Sequence, residues 1–278
     1  MGMSLPVTLK ETVLYLMNNL WQIIGPDSFN GAMNMAVDAA IMRDIMENNG
    51  PNIIRFYTWN PPCVTLGRFQ KLDGINLEAC KARGIDIVQR PTGGRAIFHN
   101  DEITFSIILR SDSLGVQCTN VMESYRVLGK SIANALRKIG LKAELVDHNN
   151  NDRIISTTGN PACFAAKARC DIMVNNKKII GSAQSRKNNI ILQQNSLPIS
   201  VDYELWKEVF HGSNADMVKE SGATELSVEL NGKIDYAGIM HSIEKAFSKD
   251  LSIEFESAKL SDSILKMARD MEDKYEII

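Results

Sequence analysis

The sequence has 278 residues, 44% hydrophobic and 23% charged, and its 31 basic residues nearly balance 33 acidic ones to leave a net charge of −2. That balance excludes attachment to nucleic acid or a membrane surface by overall positive charge, and the length suits one sizeable core with an appendage. No apolar run approaches the roughly 20 residues of a membrane helix. Residues Met1 to Leu5 lack a basic stretch followed by an apolar one, so a cytoplasmic protein is expected. Five cysteines (Cys63, Cys80, Cys118, Cys163 and Cys170) without a CxxC pair argue against a disulfide framework or structural zinc.

Residues 9–20 carry apolar side chains at helical spacing, and 21–24 read as a short strand stopped by Gly25-Pro26. A helix starts at Ser28 or Asn30, aligns Met33, Val37, Ile41 and Ile45 on one face, and stops at Asn48-Asn49-Gly50. Two strands, 52–58 and 63–68, are expected to lie side by side around Asn60-Pro61-Pro62. Residues 77–83 form a short helix closed by Gly84, 85–89 and 103–110 are strands, and 121–139 is a long amphipathic helix ending at Gly140. After another strand comes the polar loop 148–152.

Three short strands, 170–174, 178–182 and 190–193, suggest an antiparallel meander, with Asn175-Asn176 as a primed turn. Helices follow at 203–210, from Asp235 to about 249, and near 261–275. Strands before residue 200 and helices after it predict an α+β protein, a mixed sheet with flanking helices. The expected divisions are an extension over 1–19, a catalytic core over 20–200, and a helical part over 201–278 packed on that core.

Three segments can carry chemistry. Arg90-Pro91-Thr92-Gly93-Gly94-Arg95-Ala96 combines paired glycines, which let backbone amides approach an anion, with two guanidinium groups. It reads equally as a tight turn with surface arginines, and without GxxxxGK[ST] or GxGxxG neither a P-loop nor a Rossmann site is expected. Cys163 stands in a loop-like stretch followed by Lys167, Arg169, Lys177 and Lys178, a setting that lowers a thiol's pKa, although cysteine also serves as a small buried apolar residue. Gly181-Ser182-Ala183-Gln184 can turn amides toward a carbonyl or be a bulged strand end. His99 can polarise a substrate or be structural, and His148, His211 and His241 lack metal-like spacing.

Taken in order, Asn34 to Asp38, Arg55 to Pro62, Arg90 to Ala96 with His99 to Glu102, Ala162-Cys163-Phe164 and Lys177 to Gln184 resemble the biotin/lipoate A/B protein ligase family over about residues 20–275. Within it, the chain is most similar to the cysteine-dependent octanoyltransferases. The resemblance implies the biotin/lipoate protein ligase catalytic-domain fold, related to class II synthetases. It also implies ping-pong transfer of an octanoyl group from acyl-carrier protein through Cys163 to a lysine of a lipoyl-carrier domain, such as glycine cleavage H protein or a 2-oxoacid dehydrogenase E2 subunit. Lys178 would activate the thiol, while Arg90, Thr92, Gly93, Gly94, Arg95, His99, Gly181, Ser182 and Ala183 would bind substrate, with no metal or other cofactor.

Arg95 stands where the ATP-using ligases of the family carry a third glycine. Family sequences have Pro-Ser-x-Tyr and Gln-His-Gly-Ser where this chain has Lys167 to Cys170 and Gln193 to Ser196, and a Trp-Asn-containing tail that is missing after Tyr275. The alternatives are an ATP-dependent lipoate–protein ligase, an amidotransferase between carrier domains, and a non-catalytic protein that binds lipoate or carrier domains.

Overall fold

A computed structural model describes residues 19–114, 120–147, 170–211, 223–231 and 234–277. Its centre is a six-stranded mixed sheet in the order β10 (Gly181–Lys187), β11 (Ile190–Pro198), β6 (Glu102–Arg110), β2 (Ile53–Trp59), β1 (Leu20–Phe29) and β12 (Glu254–Ala258). A second sheet places β3 (Cys63–Leu66) between β4 (Asp86–Gln89) and β5 (Ile97–His99), and a third orders β7 (Ala143–Asp147), β8 (Cys170–Val174) and β9 (Lys177–Lys178).

Helix α1 (Gly31–Asn48) begins and ends where the sequence places it. Asn30 caps it by accepting the Met33 amide, and Asn49 closes it in the left-handed region at φ 54°. Helix α2 (Leu77–Arg83) is closed by Gly84 at φ 63°, and α3 (Val121–Lys138) is capped by Asn120. Near the C-terminus, α6 (Tyr236–Leu251) starts at Asp235, whose carboxylate accepts the Gly238 amide, and α7 (Asp262–Arg269) starts at Ser261. Two shorter helices are α4 (Tyr203–Val209) and α5 (Leu226–Leu230).

One face of the large sheet is mainly apolar, with Gln193 and Asn195 of β11 among the polar side chains on it. Ile54, Phe56, Phe105, Ile107, Ile191 and Leu197 pack there against Leu128, Ile132 and Leu136 of α3 and Ile239, Ile243 and Phe247 of α6. The other face changes character along the strands. The paired residues Ile53, Ile108 and Leu192 lie under α1 with Val37, Ile41 and Ile45. Two residues further along come Arg55, Ser106 and Gln194, and then Tyr57, Thr104 and Ser196. All six of these polar residues are buried, because the β4-β3-β5 sheet and the first turns of α1 cover them. Pleating carries every second side chain to one face, so a strand buried on both sides can be apolar toward one layer and polar toward the other.

Several sequence expectations change. Strand β1 continues through Gly25-Pro26 to Phe29, with a register shift between Ile24 and Asp27. Gly25 adopts φ +96°, where a Cβ would lie 2.1 Å from the Phe56 carbonyl oxygen. Strands β2 and β3 are not neighbours but belong to different sheets. The expected meander also divides. Asn175 and Asn176, both at positive φ, form the hairpin of β8 and β9, yet the chain changes sheets at Ile179-Ile180, because both side chains are buried in the core beneath α3. Beyond residue 200 the chain also supplies a strand. Although largely polar and exposed, β12 pairs in parallel with β1, and Phe255 meets Trp21 edge-on at 6.2 Å.

Candidate functional site

The polar half of the large sheet and the facing small sheet enclose a pocket. Its walls include Met35, Tyr57, Trp59, Arg90, His99 and Gln194, with Gly181 and Ala183 along one side. Among the described residues strand β10 is an edge strand, so alternate backbone amides and carbonyls of Gly181 to Ala183 have no strand partner there on the outer side. Ser182 points to the opposite face and donates to Asn195 Oδ1 at 2.8 Å.

Arg90 organises the glycine loop. The residue is 4% exposed, and its guanidinium donates to Thr65 O (2.9 Å), Thr65 Oγ1 (3.1 Å), Gly93 O (3.2 and 2.7 Å) and Arg95 O (2.7 Å). A guanidinium has five N–H groups, and these five bonds match them. The side chain therefore pins the turn and does not face an anion. Gly94 takes φ +95°, where a Cβ would lie 2.8 Å from Arg90 Nη2, and a Cβ on Gly67 would lie 1.9 Å from Gly94 O. Gly93, Gly94 and Arg95 form the outer side of the turn, while Thr92 is buried and donates to Gln194 Oε1 at 2.7 Å.

Gln194 passes that contact inward. Its Nε2 donates to Asp38 Oδ2 at 2.9 Å, and Asp38 Oδ1 accepts from Arg55 Nη1 at 3.0 Å. Arg55 and Asp38 are both fully buried. Arg55 also donates to Asn34 Oδ1 at 2.7 Å and stacks over Tyr57 at 4.2 Å. A buried ion pair is tolerated only with such additional hydrogen bonds. The loop thus rests on a buried polar network in which Arg55 Nε faces Asp27 Oδ2 at 3.7 Å without a hydrogen bond.

His99 forms a second network. Its Nε2 lies 2.8 Å from Thr65 Oγ1, its Nδ1 lies 2.7 Å from Glu102 Oε1, and its ring stacks on Trp59 at 4.1 Å and 17°. Glu102 also accepts from Ser196 (2.6 Å), Trp59 Nε1 (3.2 Å) and the Thr104 hydroxyl. Burial pushes the Glu102 carboxyl up. The charge and hydrogen bond of His99, with the two hydroxyls, outweigh burial and hold it below the ordinary carboxylate range.

Lys178 does not line this pocket. It is 8% exposed, its ammonium lies 2.8 Å from Asp171 Oδ1, and Asp171 is 3% exposed. The expected cation is present, but a carboxylate that the sequence reading did not single out holds it. Tyr125 on α3 connects the two regions electrostatically. Burial pushes its phenol well up, Arg90 and a main-chain hydrogen bond at Gln184 oppose this, and Cys170 and Asp171 add to it. Cys163 falls within residues 148–169, outside the described residues. Among the described cysteines, burial pushes up the thiols of Cys63, Cys80 and Cys170, the last to about 11.

Glu102, Tyr125, Asp171, Gln194 and Ser196 thus join the residues expected from sequence. A signal for three of them existed. Strand β6 alternates Glu102, Thr104 and Ser106 with Ile103, Phe105 and Ile107, and β11 carries Gln194-Asn195-Ser196 in a run that is buried throughout.

A curated relative from Clostridioides difficile, octanoyltransferase LipM, is 33% identical over 264 residues, covering 92% of this chain and 96% of its own. The Brevibacillus brevis octanoyltransferase LipM is 31% identical over 261 residues, covering 90% and 94%. Among solved structures, a lipoate-protein ligase A bound with ATP superposes with a TM-score of 0.72 at 23% identity, over 92% of this chain and 94% of the other. A bi-partite lipoate protein ligase from Thermoplasma acidophilum gives 0.70 at 21% identity, over 92% of each. These two likenesses concern the fold. The family model described as lipoyl protein ligase A/B catalytic domain matches residues 30–248, and the chain belongs to that family.

Proposed function

We propose that this protein is an octanoyltransferase of lipoate biosynthesis, taking the acyl group from acyl-carrier protein and delivering it to a lysine of a lipoyl-carrier domain. The observation that carries this reading is the likeness, over nearly the full length of both chains, to relatives named octanoyltransferase LipM.

In the proposed cycle the Cys163 thiolate attacks the donor thioester carbonyl. The carbon–sulfur bond to the carrier breaks, and the departing thiolate takes up a proton. The uncharged acceptor amine then attacks the enzyme thioester, the carbon–sulfur bond breaks so that Cys163 leaves as thiolate, and the nitrogen gives up a proton to solvent as the amide is formed. The first step exchanges like for like, and the second releases the thioester's free energy, so neither step requires ATP. Two bulky carriers can use one site in turn because the intermediate is covalent.

The pocket geometry supports this division of labour. Met35, Tyr57, Trp59 and Ile97 offer apolar walls for an alkyl chain. Amides along the β10 edge are available to a developing oxyanion. Cys63, Cys80 and Cys170, with thiols raised by burial, are poor nucleophiles at neutral pH. In this reading Lys178, held by Asp171, positions the reacting thioester and activates the thiol.

Intact-mass analysis after mixing with octanoyl acyl-carrier protein tests the proposal. One octanoyl adduct on Cys163, removable by hydroxylamine and passed to a lipoyl-carrier domain without ATP, is expected. Transfer at the parent rate by Cys163→Ser would exclude the covalent mechanism. Ligation of free octanoate or lipoate that requires ATP would assign the chain to ligase chemistry instead.

A further inference from the structure

A groove runs along the outer side of the glycine loop, between the end of β10, the exposed side of α1 and the C-terminal turn. Its lining contains Arg43, Arg68, Arg186, Lys187 and Lys274, and Glu47 is the only acidic side chain there among the described residues. Glu47 is already bound by Arg43 at 2.9 Å on the same helix. Such a concentration of positive charge is not a consequence of composition, because the chain carries a net charge of −2. A local field of one sign on a neutral protein recruits a partner of the opposite sign.

Two further features give the groove a direction and an anchor. Arg90 lines both this groove and the pocket between the sheets, and Pro91 beside it lines the groove, so the two concavities meet at the start of the glycine loop. Beside the groove, Phe69 is 88% exposed, with the Arg68 guanidinium 5.5 Å from its ring centre. An aromatic side chain so exposed is normally on a loose loop, but this one is held. The Gln89 side-chain amide donates to the carbonyls of Gly67, Arg68 and Gln70 at 3.1–3.4 Å, and the Arg68 amide donates to Thr92 O at 2.9 Å. A rigid exposed aromatic beside arginine is the composition of a protein-docking hot spot.

We infer that this cationic groove and Phe69 form the docking surface for the acyl donor, a carrier protein with an acidic face. Its phosphate-linked acyl arm would pass over the glycine loop into the pocket. This deepens the functional reading given above and rests on it. The arm's phosphate is an anion that must approach the loop, and the groove supplies the cations that Arg90, engaged with carbonyls, does not.

The test uses the full chain and two variants outside the pocket, Phe69→Ala and the double reversal Lys187→Glu/Lys274→Glu. Binding is followed by fluorescence anisotropy of labelled octanoyl acyl-carrier protein, and acyl-enzyme formation is compared between that donor and the small thioester octanoyl-pantetheine. Each variant is expected to weaken carrier binding about tenfold or more, and the charge reversal, unlike Phe69→Ala, is expected also to flatten its salt dependence. Octanoylation by the small thioester should remain at the parent rate. Equal loss with both donors, unchanged carrier binding, or a loss confined to the lipoyl-carrier step would each overturn the proposal. So would binding of anionic phospholipid vesicles in place of the carrier. Salt-dependent carrier binding without acyl transfer would leave the surface standing and refute the functional reading alone.

Discussion

The Lys178 ammonium lies 2.8 Å from Asp171 Oδ1, with the two side chains only 9% and 2% exposed. Both residues sit in the β8–β9 hairpin, where Met173 pairs with Lys178 and Asp171 comes two residues earlier on the same face. Removing one member leaves the other charged and desolvated, so Lys178→Met should destabilise the fold by about 3–5 kcal/mol in urea denaturation. Lys178→Met/Asp171→Asn should cost less than the sum of the single changes. On the proposed mechanism, Lys178→Ala also raises the pH midpoint of Cys163 alkylation by iodoacetamide. Lys177→Ala, whose side chain is exposed, leaves it unchanged.

Arg90→Lys keeps the charge and loses the planar fork that reaches Thr65, Gly93 and Arg95 together. Hydrogen exchange at residues 92–96 should accelerate, and octanoyl transfer should fall by about tenfold or more, as expected when a positioning group is lost. Exchange at the parent rate in Arg90→Lys would show that the five hydrogen bonds do not hold the loop.

Glu102 gives a pH signature. Its carboxyl titrates below the ordinary range in the folded protein, so its contribution to stability is complete above the unfolded value of about 4.3 and disappears as pH falls through the folded one. Urea denaturation of the parent and Glu102→Gln should therefore differ most at neutral pH and converge in acid. A difference independent of pH would mean that Glu102 is not ionised in the native state.

Thiol reactivity should sort the cysteines. With its thiol pushed up to about 11 by burial, with Asp147 and Asp171 adding to the effect, Cys170 is about one part in ten thousand thiolate at pH 7. Brief iodoacetamide treatment at pH 7 followed by peptide mapping should leave Cys63, Cys80 and Cys170 unmodified and label Cys163. Labelling of Cys170 ahead of Cys163 would contradict the proposed nucleophile.

Local patterns were legible wherever neighbouring residues decide the conformation. Asn30 and Asp235 cap helices as expected, and Gly84 and Asn175-Asn176 take the left-handed backbone their types allow. The short strand β5 and the polar strand β12 were not legible, because each exists only through pairing with a partner distant in sequence. The separation of β2 from β3, and of β9 from β10, was hidden for a related reason. A turn sequence states that the chain reverses or bends, but not which sheet receives the next strand.

By itself the sequence determined the longer helices after residue 28, most of the strands, the mixed architecture and the family, through capping residues, periodicity and motifs in a fixed order. Through the family resemblance it also grouped Arg90, His99 and the Gly181 segment as expected substrate-binding residues, which line one pocket. Only the tertiary structure decided what those residues do to one another. It turned Arg90 toward loop carbonyls, gave Lys178 the carboxylate of Asp171, and set His99 between Thr65 and Glu102. Hydrogen-bond and ion-pair partners are fixed by separations of about 3 Å. Those separations arise only when strands far apart in the chain are laid side by side and their polar faces are sealed from water.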